Sequence, residues 1–233
     1  MPTAVVTGAG SGMGLVTAAR LVAGGWDVHG WDLAPGVLEG VHWAEVDVSD
    51  IDQVRNAAAD VPSCDLLFNA AGIAPNGLAA EMPAEQWAKV VAVDLNGTFF
   101  CCQALFSALA SRKGVVVNVA STRAYRPAPG RSAYSAAKAG VVMLTQSLGL
   151  EWAAHGVRVI AIAPGYVRTP LVQALLDNGG LRADVILERT PLGRMAEPEE
   201  IADLVLALTG PAFSFMTATT LTFDGGWLAN DSL

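Results

Sequence analysis

Charge is scarce in this chain, and basic charge most of all. Of 233 residues, 15% are charged, and 14 Lys and Arg stand against 22 Asp and Glu, a net charge of −8. That deficit argues against a nucleic-acid partner and against an anionic membrane surface, both of which call for basic patches. Cysteine is nearly missing: Cys64, Cys101 and Cys102 offer neither an even disulfide framework nor metal-ligand spacing. Two of them are adjacent in an apolar helical pattern, where packing is the ordinary role, and a reducing compartment fits. No apolar run reaches membrane-spanning length, no basic leader precedes the first strand pattern, and no fixed-period repeat is present. A cytoplasmic protein is therefore expected, with no metal site and no membrane partner. The 52% apolar content excludes a disordered chain. Length suits one α/β domain spanning residues 1–233, and so little charge implies that part of the surface is covered by other subunits.

What is there is an alternation of strand and helix patterns. Ala4-Val5-Val6 reads as a buried strand, and the glycine-rich Thr7-Gly8-Ala9-Gly10-Ser11-Gly12-Met13-Gly14 follows, leading into a helix through Leu21-Val22. Glycines at 8, 12 and 14 let backbone approach a pyrophosphate while helix-terminal N–H groups face it. Trp26–Trp31 is a second strand closed by Asp32, 18 residues after Gly14, near the spacing of an acid that binds ribose hydroxyls and repels a 2′-phosphate. Leu33 follows, and the glycine loop holds no Arg or Lys, which favours NAD over NADP. Further strands are expected at Val41–Val48, Asp65–Asn69, Gly114–Val119 and Thr219–Phe223. Helices are expected at Ile51–Ala59, capped by Ser49 or Asp50, from Pro83 past Asn96-Gly97 to Leu109, and from Glu197-Pro198 to Leu208. Apolar, non-alternating strands between helices imply a parallel sheet covered on both faces, with ligands beyond the strands' carboxyl ends. The glycine loop, Asp32, Asp47, Asn69 and Ser121 all fall at those ends.

The stretch Asn118–Gly140 carries the chemistry. Ser121 ends the Val115-Val116-Val117 strand, Pro127, Pro129 and Gly130 break the chain, and Ser132 is a candidate cap for a helix starting at Ala133 or Tyr134. Tyr134 and Lys138 are four apart and share a helix face. A free tyrosine ionises near pH 10, too high for a good base at neutral pH; an ammonium one turn away favours the phenolate. Ser121 offers a hydrogen bond to a substrate oxygen without changing charge.

Taken together these residues resemble the short-chain dehydrogenase/reductase family, over nearly the whole chain. Thr7-Gly8 with Gly12 and Gly14 matches T-G-x-x-x-G-x-G. Asn69-Ala70-Ala71-Gly72 matches N-N-A-G save for Ala70. Tyr134 and Lys138 match Y-x-x-x-K, with Ser121 placed 13 residues before the tyrosine. Pro164-Gly165-Tyr166-Val167-Arg168-Thr169 matches P-G-x-x-x-T, and Asp224-Gly225-Gly226 matches D-G-G. The resemblance implies a Rossmann-like, doubly wound parallel sheet of about seven strands. It implies Tyr134 as proton donor or acceptor and Ser121 as holder of the substrate oxygen. Lys138 would bind nicotinamide ribose, and Asn96 would hold a water that joins Lys138 to solvent from a kinked helix. A cofactor cleft follows from the same comparison: Thr7, Gly8, Ser11, Gly12, Met13, Gly14, Asp32, Leu33, Asp47, Val48, Asn69, Ala70, Ala71, Gly72, Pro164, Gly165, Val167 and Thr169, besides Tyr134 and Lys138. In it Asp47 and Val48 flank adenine, Asn69 lines the adenosine ribose, and Val167 and Thr169 meet the carboxamide. A homotetramer or homodimer is implied as well.

Residues 169–195 correspond to the family's variable lid, read as one or two short helices hinged at Asn178-Gly179-Gly180. Ser121, Arg123, Tyr125, Tyr134, Tyr166 and Leu171 are the candidate substrate contacts. Arg123, Arg126 and Arg131 crowd one loop; a substrate carboxylate is one use for them, solvation or a subunit contact another. The expected activity is NAD-dependent interconversion of a small or medium secondary alcohol and its ketone. The alternatives are an NADP-preferring carbonyl reductase and a catalytically silent dinucleotide-binding regulator.

Overall fold

Seven short strands pair side by side, every pair parallel, in the order β3-β2-β1-β4-β5-β6-β7, and β-branched and aliphatic residues dominate the central ones. They are β1 (Thr3–Thr7), β2 (Asp27–Asp32), β3 (Val41–Glu45), β4 (Leu66–Asn69), β5 (Val115–Val119), β6 (Arg158–Pro164) and β7 (Thr219–Phe223). A computed structural model describes residues 1–34 and 36–230 of the chain; Pro35 lies outside them. Alternate residues of each strand feed opposite faces of the sheet, as the pleat requires. Val5, Leu67, Val116 and Val159 belong to one core, and Ala4, Val6, Leu66, Phe68, Val115, Val117, Ile160 and Ile162 to the other. Both faces are thus dry over the central strands β1, β4 and β5, which explains why these read as apolar runs without alternation.

Helices α1 (Gly12–Ala23) and α9 (Pro198–Thr209) pack on the second face through Ala18, Leu21, Ile201, Val205 and Leu208. The first face is covered by α2 (Ile51–Ala59), α4 (Thr98–Ala104), α5 (Phe106–Arg112) and α6 (Ser132–Trp152), with α3 (Ala84–Val91) leading into α4. Each fully buried Leu, Ile or Val removes enough apolar surface from water to be worth about 1.5–3 kcal/mol. Local signals set the ends of two helices: Asp50 caps α2 by accepting from Asp52 N and Gln53 N, and Glu197 and Glu200 form a reciprocal capping box on α9. Two more helices, α7 (Pro170–Asp177) and α8 (Ala183–Arg189), stand over the carboxyl ends of the strands. No single described helix is long and apolar enough to cross a membrane.

Three expectations need correction. The strand expected over Val41–Val48 stops at Glu45, and Asp47 and Val48 lie in the loop before α2. Ser132 does not cap α6: the helix includes it, Arg131 occupies the cap position with no side-chain bond, and the Ser132 hydroxyl is buried without a partner. The helix expected to run from Pro83 past Asn96-Gly97 is interrupted. Residues Ala92–Gly97 form a π-helical turn, and a 54° bend follows between α4 and α5.

Candidate active site

Strands β2 and β3 extend the sheet to one side of β1, and β4 to β7 to the other, so the order reverses between β1 and β4. Loops leaving the two strands diverge there and open a crevice. Its walls are Gly8, Ser11, Gly12, Met13, Gly14, Trp31, Asp32, Leu33, Val46, Asp47, Val48, Ala70, Ala71, Gly72, Ile73, Thr169 and Leu171. The crevice measures about 220 Å³.

Two glycines show why it stays open. Gly8 has φ 65°, in the left-handed region, and a Cβ on it would meet Ala71 N at 2.8 Å. A Cβ on Gly14 would lie 2.1 Å from Gly8 O, so any side chain there drives α1 away from the loop. Thr7 Oγ1 accepts from Ala71 N at 3.2 Å and ties the two loops together. Asp32 stands at the end of β2, its Oδ2 accepting from Gly10 N at 2.8 Å and its Oδ1 from Leu33 N at 2.8 Å. A carboxylate has about four acceptor sites, so capacity remains for a diol.

Not every expected cofactor contact faces this crevice. Asn69 is buried, and its Nδ2 donates to Asn118 Oδ1 at 2.9 Å and to Cys102 Sγ at 3.3 Å, while Asn118 donates to Thr145 Oγ1. Its side chain links β4 to β5 and α4, and through Asn118 to α6, and it is not among the residues that line the crevice. Asn69 sits on β4, where successive side chains alternate, and the pleat turns this one inward. Burial pushes the Cys102 thiol up to about 12, so it acts as an inert packing group there.

A second hollow adjoins the crevice. Ser121, Thr122, Arg123, Arg131, Tyr134, Gly165 and Tyr166 line it, and Leu171, Val172, Leu175 and Leu181 close it from above. Ser121 is delivered by the end of β5 and Tyr134 by the first turn of α6, as the sequence spacing requires. Ser121 Oγ accepts from Arg123 N at 3.1 Å, which leaves its own proton to donate outward. One turn along α6, Lys138 is buried. Its Nζ donates to Val119 O at 2.9 Å and lies 5.6 Å from the centre of the Tyr134 ring.

The third partner of this set differs from the expected one. Asn96 is exposed. Asp94 faces Lys138 instead, with Oδ2 3.5 Å from Nζ and no exposed surface. Residues two apart on a helical turn point to nearly opposite sides, so only one of the two can look inward. Asp94 Oδ1 accepts from Ile73 N at 2.8 Å, and Oδ2 has no hydrogen-bond partner among the described residues. Burial pushes the Asp94 carboxyl above the usual carboxylate range, opposed by the Lys138 ammonium and the Ile73 N–H. The missed signal was an acid in the apolar pattern Val90-Val91-Ala92-Val93-Asp94-Leu95, since a buried charge implies a buried partner. The π-helical turn, a feature common at functional sites, carries it.

One substrate candidate also separates from the rest. Tyr125 is 50% exposed and lines a different depression with Arg126, Thr222 and Leu228. Tyr166 and Arg123 do line the hollow, and Leu171 borders both hollow and crevice. A larger cavity, about 500 Å³, runs from Tyr166 to the Asp224-Gly225-Gly226 turn and includes none of Ser121, Tyr134 and Lys138. Size alone would have pointed away from the chemistry.

A nucleotide crevice at the switch of a parallel sheet, beside a serine, a phenol and a buried ammonium, defines a Rossmann-like oxidoreductase. Comparison with known proteins agrees. A family model described as enoyl-(acyl carrier protein) reductase matches residues 8–228. The chain is 40% identical to cis-4-hydroxycyclohexanecarboxylate dehydrogenase of Sinomonas cyclohexanicum, over 97% of this chain and 96% of that one. It is 36% identical to 2-(R)-hydroxypropyl-CoM dehydrogenase of Xanthobacter autotrophicus, over 97% and 98%. Aldohexose dehydrogenase of Thermoplasma acidophilum superposes with a TM-score of 0.93 at 28% identity, covering 100% of this chain and 96% of that one. The chain belongs to the short-chain dehydrogenase/reductase family, NAD(P)-binding oxidoreductases that act on CH–OH groups.

Proposed function

We propose that this protein is an NAD-dependent oxidoreductase that interconverts a small or medium secondary alcohol and its ketone. The observation that carries the reading is the meeting of Ser121 and Tyr134 in one hollow, over a buried Lys138, beside the dinucleotide crevice. In alcohol oxidation Tyr134 Oη takes the hydroxyl proton while the Ser121 Oγ–H steadies the same oxygen. In ketone reduction Tyr134 returns the proton. Nicotinamide, when bound, accepts or supplies the hydride. Lys138 holds positive charge one turn from the phenol and is itself fixed by Val119 O and Asp94. The two relatives above are named for substrates whose hydroxyl sits on a secondary carbon, which supports the same reaction class.

The dinucleotide reading draws on Gly8, Gly12 and Gly14 for close approach of a pyrophosphate and on Asp32 for the ribose diol. Asp47 and Val48, which line the crevice, are assigned to flank adenine, and Thr169 to meet the carboxamide end; Val167 is buried in the core, so its part in that contact falls to its backbone, with Pro164 and Gly165 shaping the turn before them. Preference for NAD rests on Asp32, because a 2′-phosphate there would face a carboxylate already engaged by Gly10 N and Leu33 N. Fluorescence titration with NADH and NADPH checks this: NADH should bind at least about tenfold tighter, roughly 1.4 kcal/mol. Equal affinities would leave the NADP-preferring reductase. A panel of secondary alcohols and ketones, followed by nicotinamide absorbance, tests the activity. Tight NAD binding with no turnover on any member would favour a silent regulator.

Helices α7 and α8 form the lid of this reading, with Asn178-Gly179-Gly180 between them. Thr169 caps α7 by accepting from Val172 N, and its methyl would touch a Cβ on Gly12 at 3.4 Å, so the lid begins against the glycine loop. Assembly as a homodimer or homotetramer is proposed through α6, which exposes Met143 and Leu150 seven residues apart on one stripe. Sedimentation giving only monomer would remove that part.

A further inference from the structure

We propose that Arg123 and Arg131 hold the anionic end of the substrate, so that the alcohol or ketone handled at Ser121 and Tyr134 carries a carboxylate. This rests on the oxidoreductase reading and adds the substrate's chemical class. Both guanidinium groups are half-buried and line the hollow that contains Ser121 and Tyr134. Several other arginines pair with acids: Arg20 with Asp203, Arg112 with Asp65, Arg168 with Glu197, Arg194 with Glu200; Arg158 instead donates to the Phe213 and Leu208 carbonyls, away from the hollow. Among the described residues no carboxylate pairs with Arg123 or Arg131, although the chain holds 22 acids.

Their bonds leave most of their capacity unused. Arg123 donates to Tyr166 Oη at 2.7 Å and to Arg126 O at 3.3 Å, and its guanidinium lies 4.8 Å from the Trp227 ring centre. Arg131 donates to Ala74 O at 2.8 Å. Each guanidinium has about five N–H donors, so the three bonds between the two use only a minority of them. The ionisable groups that act on Arg131 are Tyr166, Tyr134 and Arg123, all lining the same space and none a carboxylate. Burial and the like charge of Arg123 both work against that cation. Two partly desolvated positive charges side by side, in a chain of net charge −8, are stabilised by an anion that fits between them.

The lid strengthens the case. Leu171, Val172, Leu175 and Leu181 cover the hollow with apolar surface, and low polarity there enlarges any charge-assisted bond. The space beneath is small, about 90 Å³, which suits a short acid or one that lifts the lid. Arg123 doubles as a packing element against Tyr166 and Trp227. Arg131 has no ring contact among the described residues, so it is the cleaner position to vary.

The test uses a matched series of secondary alcohols that differ only in the far group: carboxylate, sulfonate, carboxamide or methyl. The carboxylate member should show kcat/KM on the order of tenfold to a hundredfold above the carboxamide, the range of a charge-assisted bond. Arg131→Met should collapse that ratio. Calorimetry with isobutyrate, which carries neither hydroxyl nor ketone, gives a second reading on the NAD-saturated protein. The wild type should bind it and Arg131→Met about tenfold or more weakly, with thermal melts confirming that the variant is folded. Equal handling of carboxylate and carboxamide, or a ratio unchanged in the variant, overturns the proposal. A sulfonate preferred over the carboxylate overturns the carboxylate assignment and points to a larger oxyanion. If no member turns over, the oxidoreductase reading has failed, while isobutyrate binding still judges the arginine pair by itself.

Discussion

Tyr134→Phe should bind NADH as the wild type does and lose turnover by about 10²–10⁴-fold, the usual contribution of a positioned acid or base. The substitution removes one oxygen and leaves the ring, so packing against Lys138 and the first turn of α6 survives. The dinucleotide crevice lies along Gly8–Gly14, Asp32 and Ala70–Ile73, none of which the Tyr134 hydroxyl holds in place. Binding and chemistry are therefore separable at this atom. A fall in kcat/KM with unchanged NADH affinity is the expected split, measured by titration and by steady-state rates on the best substrate of the panel. Turnover within threefold of wild type would remove Tyr134 from proton transfer. A parallel loss of NADH binding would mean that the phenol shapes the crevice, and the assignment would have to move to Ser121.

This position was legible from the chain alone because short-range rules decide it. Tyr134 and Lys138 differ by one helical turn, and Ser121 follows an unbroken β-branched run; neither inference needs a distant contact. The same holds for Asp50 and for the Glu197–Glu200 capping box, whose bonds reach two or three residues, and for β7. Sequence reasoning failed where direction depends on tertiary context. Asn69 sits at the right strand end but on the inward side of the pleat. Asn96 and Asp94 compete for one inward-facing position, and a π-helical turn, which inserts an extra residue into the helical ladder, decides for Asp94. Tyr125 leaves the loop after Ser121 on its outer side. Each of these three is chiefly a rotation about the chain axis, whereas the β3 end at Glu45 and the cap at Arg131 differ by position along the chain.

Asp94 and Lys138 form an ion pair buried on both sides, and Lys138→Met should expose its role. Both groups are nearly without solvent contact, and the 3.5 Å separation is long for a charge-assisted bond, so their pairing offsets desolvation instead of adding much stability. Methionine fills nearly the same volume as lysine. What it removes is the one cation that pairs with Asp94 Oδ2 among the described residues, an oxygen with no hydrogen-bond partner among them, together with the donor to Val119 O. Stranding a buried charge in this way costs about 3–5 kcal/mol. Asp94→Asn combined with Lys138→Met removes the stranded charge while Asn keeps an oxygen for Ile73 N, so the double variant should recover all but about 1–2 kcal/mol in urea melts.

The pH dependence has a defined sign. Burial holds the Asp94 carboxyl above its unfolded value, so stability falls as pH rises from the unfolded value toward the folded one, and the penalty is complete above the folded value. The penalty is absent once pH falls below the unfolded value, about 3.9. The gap in stability between Lys138→Met and the double variant should accordingly be largest at neutral pH and close on acidification. A gap that does not change with pH would show that Asp94 is not the stranded charge. Activity supplies the second axis: neither variant should regain turnover, because Asn at 94 mends the fold without restoring positive charge beneath the phenol. Recovery of both stability and rate in the double variant would instead make Lys138 a packing residue, and the proton route would have to run through Ser121 and Tyr134 alone.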